Sequence, residues 1–212
     1  MPKIPILTVA QQRAAYKHLL SCDQKLALLI KKHGPPKLGH EPDAWTALSA
    51  SIISQQISTH AARAIRNRVA ALGENGTFPS PQIILNLPDE TLRGAGLSGN
   101  KLLSLRDLAR HFSEGKIAPE KLAKMDDEEV IDALIPIRGI GRWTAEMFLI
   151  FSLRRPDVLA VDDWGLRMAA KKLYGLDEPP KAKEFRALAE PWKPFRSVAS
   201  WYLWRSLDNE PK

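Results

Sequence analysis

Nowhere in these 212 residues do apolar and polar side chains alternate with period two over the length of a strand. With 44% hydrophobic residues the chain still has enough apolar surface for a core, so helices must bury it. The segments "AWTALSASIISQQISTHAARAIRNRVAAL", "LLSLRDLARHF", "DDEEVIDALI", "WTAEMFLIFSL", "WGLRMAAKKLY" and "KEFRALAEPWKPFRSVASWYLWRSL" carry apolar residues at helical spacing or in helix-length runs. Between them lie "HGPPKLGHEP", "GENGTFPSP", "LPDE", "GKIAPE", "RRPD" and "LDEPPK", rich in Pro, Gly and Asn, which break helices. The pattern predicts an all-α fold of roughly nine to eleven short helices.

The formal net charge of +7 makes an anionic partner the first expectation, and nucleic acid is the commonest one. The first forty residues hold seven Lys or Arg against one acid. A charge run is also what a solvated face looks like, so charge alone assigns no lysine to a phosphate. The single cysteine, Cys22, excludes an intramolecular disulfide, a four-cysteine zinc site and a four-cysteine iron-sulfur cluster. The start, "MPKIPILTVA", is too short and proline-broken for a signal peptide. No stretch reaches the roughly 20 apolar residues of a membrane helix, so no membrane partner is expected. The single cysteine is consistent with a reducing intracellular compartment, and a DNA-associated chain and a monomer are further expectations.

One stretch concentrates unusual chemistry: "IPIRGIGRWTAEMFLIFSLRRPDVLAVDDWGLRMAA", residues 135 to 170. Gly139 and Gly141 let the backbone take positive φ and come close to another chain. The helix starting near Arg142 to Thr144 then aims its first amides outward, a geometry suited to a phosphate oxygen whatever the base sequence. A plain helical corner with no ligand has the same pattern, and the residues alone leave both readings open. The following run, "TAEMFLIFSL", is apolar on almost every face and belongs in a core.

Downstream, Asp162 and Asp163 open a helix that Gly175 closes. An Asp at a helix start is a favoured N-cap. One carboxylate suffices for that, and the other lies about 100° round the helix. A second carboxylate near an anion-binding turn makes sense when it faces something that becomes positive.

On these residues the chain resembles the helix-hairpin-helix superfamily of DNA base-excision glycosylases. "LIPIRGIGRWTAEMFLIFSLRRPDVLAVDDWGLRMA" looks like its hairpin and downstream Asp, and "IISQQISTHAA" is similar to its wedge. "WKPFRSVASWYLW" resembles the alkylated-base branch, the DNA-3-methyladenine glycosylase II type. With "FPSPQIILNLPDETLRGAGLSGNKLLSLRDLA" the resemblance spans roughly residues 40 to 207. It implies two helical lobes with an interlobe active-site cleft: a central lobe, residues 38–155, with wedge and hairpin, and a second lobe built from both termini, residues 1–37 and 156–212.

The resemblance makes Asp163 the catalytic residue and leaves Asp162 as cap or support. It places Trp143 and Trp204 in the base pocket, with Met147 where another aromatic often sits, and Gln56 as the wedge. Gly139, Gly141, Arg142 and Thr144 become DNA-binding. By the same analogy the backbone carbonyls of Ile135, Ile137 and Ile140 hold a monovalent cation, Na or K, and no cofactor is required. Trp143 occupies the position where bifunctional branches carry a lysine nucleophile, and Ser51 the position of a glutamate in the adenine-mismatch branch. The implied activity is monofunctional excision of alkylated purines from damaged duplex DNA. Excision of uracil, hypoxanthine or a mismatched base is the alternative within enzymes, and a non-catalytic DNA-binding module the alternative outside them.

Overall fold

The computed structural model describes residues 7–38, 43–74 and 77–207. Among these residues it is all-α, with thirteen α-helices, one 3₁₀ turn and no strand. The count exceeds expectation because short helices form inside segments that read as breaks. Two of them, Pro81–Asn86 (α5) and Pro119–Leu122 (α8), begin on a proline, whose missing N–H costs nothing at a first helical position.

Two long segments also divide. The first becomes Ala44–Ser54 (α3) and Thr59–Ala70 (α4), because Ser58 caps α4 by accepting the Ala61 amide and so starts a new helix. The second becomes Ala182–Leu188 (α12), the 3₁₀ turn Glu190–Trp192 and Arg196–Leu207 (α13), interrupted by Pro191 and Pro194.

The chain clusters into two compact units, Glu41–Phe148 and Met1–His40 with Leu149–Lys212. In the first, α3 packs on α4 and on Gly99–Ser113 (α7), and α5 packs on α7. Leu48, Ile52, Ile53, Ile84, Leu105 and Leu108 are fully buried there, each worth about 1.5–3 kcal/mol of transfer free energy. Asp89–Gly94 (α6), α8, Asp127–Leu134 (α9) and the start of Arg142–Phe151 (α10) complete the unit. A capping box between Asp126 and Glu129 fixes where α9 begins.

In the second unit Val9–Cys22 (α1) packs on Gln24–His33 (α2), and α13 packs on α2 and on Trp164–Tyr174 (α11). Asp23 is its polar anchor. It caps α2 at the Leu26 amide, 2.9 Å, and accepts the Trp192 Nε1–H at 2.9 Å and the Tyr174 hydroxyl. Burial pushes the Asp23 carboxyl up, but these donors outweigh it and hold the group below its ordinary value. Burial and the Asp23 carboxylate raise the Tyr174 phenol. Gly175 closes α11 in the left-handed conformation, as its sequence position predicts.

Candidate active site and DNA-binding residues

The hairpin lies in the first unit. Helix α9 ends on Ile135, and the turn is closed by Ile137 N–H to Leu134 O, 3.1 Å, and Ile140 N–H to Ile137 O, 3.0 Å. Gly139 sits at φ +79°, and a Cβ there would lie 2.6 Å from Ser104 Oγ and 3.1 Å from Ser104 Cβ. Both conformation and packing therefore require glycine. Gly141 departs from expectation: its φ is not positive, and an added Cβ would meet no protein atom within 4 Å. The fold makes no demand for glycine at that position.

The ladder of α10 starts with Ala145 N–H to Gly141 O at 3.1 Å, so amides earlier in the turn project from the positive end of the helix. The side chains beside these amides are committed elsewhere. Arg142 holds Glu128 through two bonds, 2.9 and 2.5 Å, and lies 3.3 Å from Glu146. That ties α9 to α10 and compensates the guanidinium, so what Arg142 offers an anion is its backbone. Thr144 is buried, its hydroxyl 3.5 Å from Gln55 Nε2. Trp143 by contrast is 47% exposed, and Met147, one turn along α10, is half-buried.

The Ile137 carbonyl spends one lone pair on the Ile140 amide and keeps a second acceptor site. A set of uncharged carbonyl oxygens at Ile135, Ile137 and Ile140 suits a hard cation of low charge. Among the described residues no cluster of three or more His, Cys, Asp or Glu could hold a metal.

Between α3 and α4, Gln56 is exposed at φ +57°, a left-handed conformation that costs a non-glycine residue about 1–2 kcal/mol. Its neighbour Gln55, which the sequence reading passed over, donates Nε2–H to Gly139 O at 2.8 Å. Lys101 donates to Ile53 O at 2.6 Å, and its partly buried ammonium is lowered in pKa by desolvation. Burial against α3 sets it apart from a solvated surface amine. Gln55, Gln56, Lys101, Ser104, Arg138 and Gly139 line one hollow of about 390 Å³.

In the second unit, Asp163 is 8% exposed and Asp162 is exposed. Helix α11 begins at Trp164, and the N-cap is Asp163 itself, accepting the Leu166 amide at 2.7 Å with extended backbone. Of the two roles expected for Asp162, cap or support, the cap falls to Asp163 instead. Trp204 Nε1–H donates to the same oxygen, Asp163 Oδ1, at 3.1 Å, and the Trp204 ring lies 5.8 Å from Phe151. Gly165 makes room for this: a Cβ there would lie 3.2 Å from Asp163 Oδ1 and 3.6 Å from Trp204 Cδ1. Next to the buried carboxylate, Trp164 is 62% exposed with the Arg167 guanidinium 5.8 Å over its ring.

Residues 49–194 match the family described as the HhH-GPD superfamily of base excision DNA repair proteins. The alkylbase DNA glycosidase-like protein mag2 of Schizosaccharomyces pombe is 36% identical over 197 residues, 91% of this chain and 92% of its own. The solved 3-methyladenine DNA glycosylase Mag1 of the same yeast, in complex with abasic DNA, is similar with a TM-score of 0.85 and 35% identity, over 94% of this chain and 100% of that one. A DNA-3-methyladenine glycosidase from Bacillus halodurans gives a TM-score of 0.82 at 37% identity, over 92% of this chain and 89% of that one.

Proposed function

The chain belongs to the HhH-GPD superfamily of base excision DNA repair proteins, and we propose that it excises alkylated, cationic purines such as 3-methyladenine and 7-methylguanine from duplex DNA as a monofunctional glycosylase. The observation that carries this reading is Asp163: a buried carboxylate with one oxygen held by the Leu166 amide and the Trp204 indole N–H. No helix among the described residues is long and apolar enough to cross a membrane.

The leaving group decides the chemistry. A purine alkylated at N3 or N7 already carries positive charge, so the C1′–N bond breaks with its electron pair returning to the base, which departs neutral without a general acid. Gln56 fills the space of the extruded nucleotide. Trp143 and Trp204 supply aromatic faces to the cationic base, worth about 0.5–2 kcal/mol each. Asp163 faces the oxocarbenium charge that develops on the sugar, and water adds to C1′ and loses a proton. The amides of Arg142 and Thr144 grip a backbone phosphate, and the carbonyls of Ile135, Ile137 and Ile140 would hold an Na or K ion, which would supply positive charge beside it. No amine stands at position 143, so the product is an intact strand with an abasic site.

The test is a panel of duplexes, each with one modified base, scored for release by wild type and Asp163→Asn. Release of alkylated purines by wild type alone is expected. Release confined to uracil or hypoxanthine would move the substrate class, and binding with no release of any base would reduce the chain to a DNA-binding module.

A further inference from the structure

Two devices must act on one nucleotide: the wedge loop with Gln56 and the hairpin turn with Gly139. They lie more than eighty residues apart in sequence, yet the first unit joins them through one stripe of α7. Lys101 donates to Ile53 O at 2.6 Å, at the end of α3 where the wedge loop departs. One turn on, Ser104 packs under Gly139, where even a Cβ would not fit. One turn further, Asp107 Oδ2 accepts the Arg138 N–H at 2.9 Å. Residues 101, 104 and 107 recur at helical spacing, so a rigid helix sets the separation of the two devices. A direct strut completes the frame: Gln55 Nε2–H donates to Gly139 O at 2.8 Å.

The strain at Gln56 gives the frame its purpose. A non-glycine residue holds φ +57° only where its surroundings over-determine it. Here the residue before it is tied to the hairpin, and the helix before that is gripped by a cation at its negative end. A lysine that merely finished a helix would need no companion bond from wedge loop to hairpin, and no hollow in which the same residues converge.

Resting on the glycosylase reading above, we propose that Lys101 and Gln55 are positioning residues for nucleotide extrusion: they hold the wedge at a set distance from the phosphate-gripping turn and take no part in breaking the glycosidic bond. Their loss is then felt in proportion to how hard the lesion is to flip. Single-turnover release of 7-methylguanine paired with cytosine falls about tenfold for Lys101→Met, the cost of one charge-assisted bond, and about fivefold for Gln55→Leu, the cost of one neutral bond. Release of the same lesion opposite an abasic analogue falls about twofold at most, because little pairing has to be broken. Lys101→Arg restores most of the paired rate. Equal losses on the two duplexes, no loss on the paired one, or no rescue by Lys101→Arg would each overturn the proposal.

Thermal unfolding identifies a variant that fails to fold, and Gln55→Leu, whose bond lies outside the core, then carries the test. An assay without chemistry separates this inference from the activity reading: 2-aminopurine beside an uncleavable lesion analogue reports extrusion by fluorescence. Wild type brightens the probe and both variants do so less. Wild type that brightens it yet releases no base would sink only the substrate assignment, and equal brightening by all three proteins would sink the positioning role.

Discussion

The two hairpin glycines offer a separation of fold from function that one substitution at each position makes visible. Gly139→Ala forces a Cβ into a left-handed residue and against Ser104 Oγ at 2.6 Å. The conformation costs about 1–2 kcal/mol, and displacing Ser104 on a packed helix adds about 1–3 kcal/mol. A total near 2–5 kcal/mol lowers the melting temperature of a chain this size by roughly 4–20 °C. At Gly141 the backbone needs no positive φ and a Cβ meets no protein atom within 4 Å, so Gly141→Ala costs less than about 1 kcal/mol, the difference between these residues at an N-cap. What that Cβ does meet is the phosphate that the first-turn amides are proposed to hold. Losing one such charge-assisted bond weakens duplex binding about tenfold or more. Thermal unfolding and fluorescence anisotropy on undamaged and lesion-bearing duplexes measure both quantities. A Gly141→Ala protein that binds DNA like wild type would refute the phosphate role, and one that melts as low as Gly139→Ala would refute the reading of its backbone.

Asp163→Asn is expected to abolish base release while retaining duplex binding, whereas exposed Asp162→Asn keeps turnover within about threefold, the effect of removing one solvent-screened surface charge. Affinity for undamaged duplex falls steeply with salt and varies little with sequence, and a flat salt dependence would contradict backbone-phosphate binding. Borohydride added during turnover traps no protein–DNA adduct, and strand breaks appear only after heat or alkali; an adduct formed as fast as base release would require an amine nucleophile that the mechanism lacks. Asp23→Ala removes a helix cap and strands the buried Trp192 N–H and Tyr174 hydroxyl, for about 2–4 kcal/mol at neutral pH. Because the Asp23 carboxyl is held below its ordinary value, its contribution is full above the unfolded pKa near 4 and fades as pH falls through the lower folded value, so urea midpoints of variant and wild type converge in acid.

Helical periodicity predicted the fold class, because a buried helix face needs apolar residues at a spacing that no strand shares. The residues that proved hardest to read are those defined by distant contacts. Gln55 meets Gly139 and Lys101 meets Ile53 across 84 and 48 residues, and no local pattern encodes either meeting. The ion pair of Arg142 is equally non-local, because its acidic partner Glu128 lies on the preceding helix. Gly141 and Asp162 mark a different limit. Which of two adjacent residues takes the cap or the positive φ depends on where a helix begins to within one position, and composition blurs that boundary.

The identity of the cap changes what Asp163 means. Read from sequence, cap and catalyst compete, and a second carboxylate is needed to free one for chemistry. In the fold the cap does not exclude the proposed catalytic role. The backbone cap bond and the Trp204 N–H meet on Oδ1, so one carboxylate oxygen is fixed by the start of α11 and by α13, and the group needs no further reorganisation when positive charge appears on a sugar. Gly165 leaves room for the carboxylate, since a Cβ there would crowd Asp163 Oδ1 at 3.2 Å. This geometry also selects the right probe. Asparagine caps helices about as well as aspartate and its amide oxygen can accept the same two bonds, so Asp163→Asn removes the charge and leaves the frame. Alanine removes both, leaves the Trp204 N–H without this acceptor, and mixes a folding defect with a chemical one. A variant that keeps the wild-type melting curve and loses base release therefore locates the function in the negative charge of Asp163 rather than in the helix it starts.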